Sequence, residues 1–527
     1  MNAKTCLIIM VVVTLFLSGC STPTATPISV YKERIVENKV VETVVVEKRS
    51  EGQTYRQPPQ PTSIANTGSA PSGSAYPDNQ FEDYGVNGYE DPYSDNLSTF
   101  GLDVDTASYT MMRAYIQQQG ILPPFDSVRV EEFVNYFDAG YASPEDGGFA
   151  LYADAAPHPL NRSEVLLRVG VQGYRVSDRE RKPMALTFVI DTSGSMGTDN
   201  RIGLVKDSLG LLVDQLDRRD RVSVVSFSSR ASVVLNSTSG NRHSDIMAAI
   251  DSLWPTNNTN LEDGLHLGYE LASEQYLPDG VNRVILLSDG VANSGITDPE
   301  TILSYVSDFV DDGITLTSVG VGMGNFNDVL MEKLADRSNG NYVYVNDLDE
   351  ARRLFVDQQV SGMLQVIAKD ARIQVDFNPD VVASYRLLGY ENRAIADEDF
   401  RNDEVDAGEI GAGMTAVALY AIQLDGESEG RIGTVQLRWE DPDTSEVIEI
   451  NGNINTWDIA RSFDEADPHF QLASVAALYA EVLRQSPYSR FSLSDLVPLA
   501  SNVAFLLDEN ADANELYTLI RQASRMD

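Results

Sequence analysis

Cysteine is almost missing from this chain. There are two in 527 residues, Cys6 and Cys20, both within the first twenty positions. That leaves no material for a disulfide framework, and four histidines leave little for zinc. Positive charge is scarce too: 39 Lys and Arg stand against 79 Asp and Glu, for a formal charge of −40. A nucleic-acid backbone has to be neutralised by Lys and Arg, so nucleic acid is excluded as a partner. The same acidity disfavours loose electrostatic attachment to anionic lipid. What is abundant is apolar surface, 43% of residues, in a chain long enough for two to four domains.

At the amino terminus, Lys4 precedes the apolar run from Leu7 to Leu17. That run is far short of the roughly 20 residues of a membrane span, so it reads as the core of a signal peptide. Leu17-Ser18-Gly19-Cys20 resembles the bacterial lipobox, which implies cleavage before Cys20 and lipidation of its sulfur. Ser21 resembles the outer-membrane sorting signal of enteric bacteria. From Cys20 to about Asn96 the chain is rich in Pro, Gly, Ser, Asn and acidic residues, too polar to offset its ordering entropy, and is expected to be a disordered tether. Within it, Val30 to Glu47 alternates valines with charges, which fits either a short strand or a charged spacer.

The apolar run from Met184 to Ile190 has no polar alternation and reads as a buried strand. It ends in Asp191-Thr192-Ser193-Gly194-Ser195, and a helix is expected from about Ile202. Further strands are expected at Arg221 to Phe227, Ala231 to Leu235, Arg283 to Leu287, Ile314 to Val319 and Tyr342 to Val345, with helices between most of them. The connection between 227 and 231 is too short for a crossover helix, so Ala231 to Leu235 should be an antiparallel edge. This pattern predicts an α/β domain over 183–359 with a doubly wound, mainly parallel sheet, flanked by β-rich and mixed α+β regions.

The expected divisions are a signal peptide at 1–19, a tether at 20–96, a helical and β-rich region at 97–182, the α/β domain, and a mixed β and α domain at 360–527. Residues 149–171 and 365–439 both read as β, and we expect them to form one body into which the α/β domain is inserted. Thr106 is placed to cap a helix opening there, and Asp512 with Glu515 matches a capping box for the last helix. Asp103 and Asp105 are read as a helix entry rather than a site.

An aspartate and two serines on one tight turn converge oxygens suited to a hard cation, although a plain polar turn has the same composition. Two more polar turns are expected at the same end of the sheet, at Asn257 to Asn260 and at Ser288-Asp289-Gly290. In an open α/β sheet, ligands sit beyond the carboxyl ends of the strands, where the winding direction reverses. The turns together offer Asp191, Ser193, Ser195, Thr259 and Asp289. Two carboxylates balance one divalent cation and three hydroxyls add ligands without charge.

This combination resembles the von Willebrand factor type A domain with its metal-ion-dependent adhesion site. The resemblance implies that Ser193 and Ser195 bind Mg²⁺ or Mn²⁺ directly and Thr259 directly or through water. Asp191 and Asp289 would hold coordinating waters or enter the inner sphere, and a partner's Asp or Glu would fill the sixth position. The stretches Phe100 to Tyr109 and Val128 to Phe137 resemble the narrower family of bacterial YfbK-like lipoproteins. These resemblances imply a membrane-anchored, non-enzymatic binding module of the cell envelope. It would be held to the lipid bilayer through Cys20, on the outer membrane facing the periplasm or the cell surface in a Gram-negative cell. Two other readings compete. One is a metal-assisted hydrolase, with His243 or His266 as base; the other is a structural envelope scaffold with a non-functional metal site. The glycine-rich segment Gly320-Val321-Gly322-Met323-Gly324 lacks the context of a dinucleotide loop and reads as a turn.

Overall fold

Strand Met184–Asp191 lies inside a six-stranded sheet and has no exposed residue. The computed structural model describes residues 30–33 and 79–526, apart from 146, 178, 257, 291–297, 325, 358–363 and 427. Cys20, the signal segment and most of the tether lie outside the described residues. The strands run in the order Tyr342–Val345, Thr315–Val321, Val281–Ser288, Met184–Asp191, Arg221–Phe227 and Ala231–Ser239. All neighbours are parallel except the last pair, which is antiparallel. That edge strand reaches Ser239, past the expected end at Leu235, because register shifts let it follow its neighbour to Arg221.

Apolar side chains cover both faces, which is why the sequence shows runs rather than alternation. Val189 and Leu286 join helix Leu261–Glu274 on one side, while Phe188, Ile190 and Leu287 join helix Arg201–Val213 on the other. The winding reverses between Met184–Asp191 and Val281–Ser288. This is a von Willebrand factor type A architecture.

The flanks interleave around this unit. Strand Thr415–Leu424 pairs antiparallel with Val165–Gly173, so segments on either side of the α/β domain share one four-stranded sheet with Phe149–Pro157 and Val382–Leu388. A second, antiparallel sheet is built on Val366–Phe377, Arg431–Glu440 and Val447–Asn455, and Leu97–Gly101 adds to it. The sheets pack face to face over Leu167, Val169, Ile373, Val375, Tyr420 and Leu437. Alternate residues Leu166, Val417, Leu419 and Ala421 turn outward beneath helices Pro468–Leu483, Leu493–Leu506 and Ala511–Ala523.

Several expectations need correction. The tether ends earlier than residue 96. Gln80 exchanges backbone hydrogen bonds with Phe326 and Asp328, and Glu90 exchanges a pair with Tyr385. Val30–Glu33 is a strand paired with Glu449–Gly452. Thr106 makes no side-chain cap; the Glu132 carboxylate accepts from Ser108 N–H instead, at 2.7 Å. The last helix is capped by Asn510, whose side chain accepts from Ala513 N–H at 2.9 Å. Asp105 does more than open a helix: its carboxylate accepts from the Tyr342 N–H at 2.9 Å and so ties the amino-terminal segment to the edge of the α/β sheet.

That tie belongs to a buried charged junction. Asp103, Asp105, Arg129, Glu131 and Glu132 meet Asp328 and Glu332 of helix Asp328–Asp336, together with Glu391 and Arg393 from the carboxyl-terminal side. Burial, more than any neighbouring charge, holds the Asp105, Glu131, Glu132 and Glu332 carboxyls above the ordinary carboxylate range. The folded state therefore binds protons that the unfolded chain releases as pH climbs from about 4.5 to neutral, and stability from these groups falls over that window. We predict a higher denaturant midpoint at about pH 6 than at about pH 8. Glu131→Gln, which keeps an acceptor for the Tyr390 N–H that Glu131 receives at 3.0 Å, should reduce that difference. A variant with the wild-type pH slope would show that general charge repulsion is responsible instead.

Candidate metal site

The three expected turns meet at the carboxyl end of the sheet, at the reversal of winding. Asp191 ends its strand fully buried. Its Oδ1 accepts from Ser193 N–H and its Oδ2 from the Ser288 hydroxyl, each at 2.7 Å. These bonds fold the loop back so that Ser193 Oγ and Ser195 Oγ lie 3.0 Å apart. Thr192 fixes the other side of the turn through Phe227, whose carbonyl accepts from both its N–H and its hydroxyl. The loop continues from Gly194 in short helical turns broken at Thr198 and Asp199, with Met196 buried beneath it.

Thr259 is carried in by its own loop. Thr256 N–H donates to Thr192 carbonyl at 2.6 Å, and Asn260 N–H donates to Ser228 carbonyl at 2.7 Å, so the segment is pinned on both sides of Thr259. Asn260 caps the helix that follows. That helix can lie close over the sheet because it is glycine where it crosses. A Cβ at Gly264 would come within 2.6 Å of the Phe227 ring, and one at Gly268 would collide with Val189 Cγ2. The close approach brings Thr259, itself buried, down to the level of the Asp191 loop.

Asp289 is buried on the third turn, held by a Gly290 N–H to Ser288 Oγ bond of 3.1 Å. Burial and the Asp289 charge push the Asp191 carboxyl up to about 7, against the downward pull of its Ser288 and Ser193 donors. Among the described residues no three His, Cys, Asp or Glu side chains gather as a metal cluster. The donor set here is of another kind, two carboxylates accompanied by hydroxyls, and oxygen donors of that type suit Mg²⁺ or Mn²⁺ rather than zinc.

One participant was not foreseen. Arg201, 6% exposed, donates from Nη1 to Asp289 Oδ2 at 2.8 Å. The expected balance of two carboxylates against one dication is therefore incorrect, because a guanidinium already offsets one of them. The available signal was a positive residue at the very start of a helix, where the backbone dipole disfavours it unless it has a partner. The histidines stand apart. His266 is half exposed beside Glu270 at 3.7 Å, and His243 Nε2 faces the Leu216 carbonyl at 3.0 Å.

Comparison with known proteins follows this division of the chain. Residues 185–357 match the family model described as von Willebrand factor type A domain. Residues 362–432 and 425–526 match the model for the carboxyl-terminal part of uncharacterized protein YfbK, and 75–168 match one described as von Willebrand factor. The Escherichia coli (strain K12) protein described as uncharacterized protein YfbK is 34% identical over 454 residues, 81% of this chain and 76% of that one. An uncharacterized Synechocystis protein is 28% identical over 287 residues, 53% of this chain and 67% of its own length. The solved structure of a von Willebrand factor type A protein from Catenulispora acidiphila superposes with a TM-score of 0.41 at 15% identity, covering 71% of this chain and 90% of that one.

The close crossing at Gly268 can be tested directly. Gly268→Val should cost about 1–3 kcal/mol by overpacking against Val189, read as a lower denaturant midpoint at unchanged slope. An unchanged midpoint would mean that the helix does not press on the sheet there.

Proposed function

Because the chain belongs to the YfbK family, we propose that it is a lipid-anchored, metal-dependent binding module of the bacterial cell envelope. Its von Willebrand factor type A domain is a protein-interaction module, and the chain is not an enzyme. In this reading the interaction domain spans 183–359, inserted in the β-rich body. Lipidated Cys20 and the segment after it hold that body at a bilayer of the cell envelope, the outer membrane in a Gram-negative cell.

The observation that carries the metal reading is the pairing of a buried carboxylate, Asp191, with two serine hydroxyls 3.0 Å apart on the same turn. Ser193 and Ser195 would hold Mg²⁺ or Mn²⁺ through their oxygens. Thr259 and Asp289 would hold it from the neighbouring turns, and Asp191 through its charge and through the donors it fixes. The cation would supply an electrophilic point for a carboxylate of a protein partner. The protein's own contribution is to exclude water on the sheet side, orient the hydroxyls and present them at the surface. Its acidity repels that same carboxylate when no cation is present. A hydrolase would need a base on the site; of the candidate histidines, His266 is half exposed beside Glu270 and His243 Nε2 faces the Leu216 carbonyl.

The test is retention of envelope proteins on the immobilised chain in Mg²⁺ or Mn²⁺ against EDTA. Asp191→Ala and Asp289→Ala should abolish cation-dependent retention with the fold intact, and Thr259→Ala should weaken it. A partner retained equally in EDTA would place recognition elsewhere. The anchor is tested separately. Mass analysis should find an acylated Cys20 at the mature amino terminus and an unprocessed precursor for Cys20→Ala; an unmodified terminus elsewhere would contradict it.

A further inference from the structure

The sheet end carries a built slot for a cation of the protein's own, in which Asp289 is joined by parts that the metal motif does not use. Arg201 is the first residue of helix Arg201–Val213. The chain reaches it through Asp199 at φ 50° and Asn200 at φ 59°, two consecutive left-handed residues without the freedom of glycine. Such residues persist only where the surroundings hold them. They turn the Arg201 side chain inward, against the helix dipole, instead of letting it reach solvent.

The receiving side is equally specific. At the end of strand Thr315–Val321 the backbone turns at Gly322 with φ +78°, and a Cβ there would collide with Arg201 Nε. Arg201 Nη2 donates to the Met323 carbonyl just beyond, while Nη1 holds Asp289 at 2.8 Å. The glycine-rich turn that reads in the sequence as a simple connection is the bed of this guanidinium. Asp191, by contrast, is met by hydroxyl and amide donors, and its own carboxyl is the one that stays poorly compensated.

We propose that Arg201 is the internal counter-charge of the metal site: it neutralises Asp289 when the site is empty, weakens cation uptake, and leaves the loaded site in need of an anion. The charge count gives the direction. With both carboxylates ionised beside a bound dication, Asp191, Asp289 and Arg201 together carry one negative charge, so the loaded site keeps one positive charge that a single carboxylate cancels. Without Arg201 the loaded site would already be neutral, and a carboxylate ligand would gain less. The partner class that follows is an anionic group of one net charge, an Asp or Glu side chain, in preference to a neutral amide.

This inference rests on the metal reading above, and its test separates the two. The purified full-length chain, stripped with EDTA, is titrated calorimetrically with Mg²⁺ alone, as wild type, Arg201→Gln and Arg201→Lys. Removing a positive charge so close to the cation should tighten Mg²⁺ binding by on the order of tenfold in Arg201→Gln. Arg201→Lys, which keeps the charge, should bind within about twofold of wild type. Arg201→Gln should also melt below wild type in EDTA and gain more from Mg²⁺, because Asp289 then loses its guanidinium beside a second buried carboxylate. If it is unfolded in EDTA, refolding on addition of Mg²⁺ supports the proposal and failure to refold in saturating Mg²⁺ overturns it. Unchanged or weaker binding by a folded Arg201→Gln overturns the role of Arg201 and leaves the metal site standing. A wild-type chain that takes up no Mg²⁺ overturns the metal site itself.

Discussion

Two carboxylates withheld from water at the carboxyl ends of adjacent parallel strands set the terms for everything around them. Burying one such charge without a partner is costly enough that proteins shift its protonation or supply a counter-charge. Here the two are treated differently. Asp289 receives the Arg201 guanidinium, and among the described residues Asp191 receives neutral donors, with its carboxyl pushed up to about 7. Parallel pairing of Met184–Asp191 with Val281–Ser288 places them together, and helix Leu261–Glu274 lies close against Val189 and Phe227 through glycines. The site is thus a property of the sheet, and the loops only shape its surface.

The surrounding body positions the sheet. The β-sandwich takes strands from both sides of the α/β domain, so the chain enters and leaves that domain from one platform. The second connection is the buried junction of Asp105, Arg129, Glu132, Asp328 and Arg393, which joins the amino-terminal segment to the helix and strand at the far edge of the sheet. Charged contacts of this kind leave no slack when broken, since a buried charge that loses its partner is strongly destabilising.

Much of the α/β unit was legible because its periodicity is unambiguous: continuous apolar strands, amphipathic helices, and polar turns always at the same strand end. The flanks were harder. Val447–Asn455 escaped because Asn and Gly interrupt its alternation, and its strand character comes from pairing with Arg431–Glu440. Helix Leu493–Leu506 escaped because Pro498 lies within it, past the first turn, where a proline removes an intrahelical hydrogen bond and so reads as a break. Nothing local announces that Thr415–Leu424 pairs with a strand some 250 residues earlier, which depends on two faces being buried at once. At the site, the motif residues could be placed from their turns. Arg201 could not, because its role depends on Gly322 and Met323, which are distant in the chain and adjacent only after folding.

The central claim is that hydroxyls and carboxylates at the winding reversal hold a divalent cation, with the Arg201–Asp289 pair kept in place beside it. Anomalous diffraction from crystals of the chain soaked in Mn²⁺ tests it most directly. The account predicts one strong anomalous peak between the hydroxyls of Ser193, Ser195 and Thr259, with Arg201 still bonded to Asp289. A peak confined to the acidic junction around Asp105 and Asp328, or none at the sheet end, would contradict it.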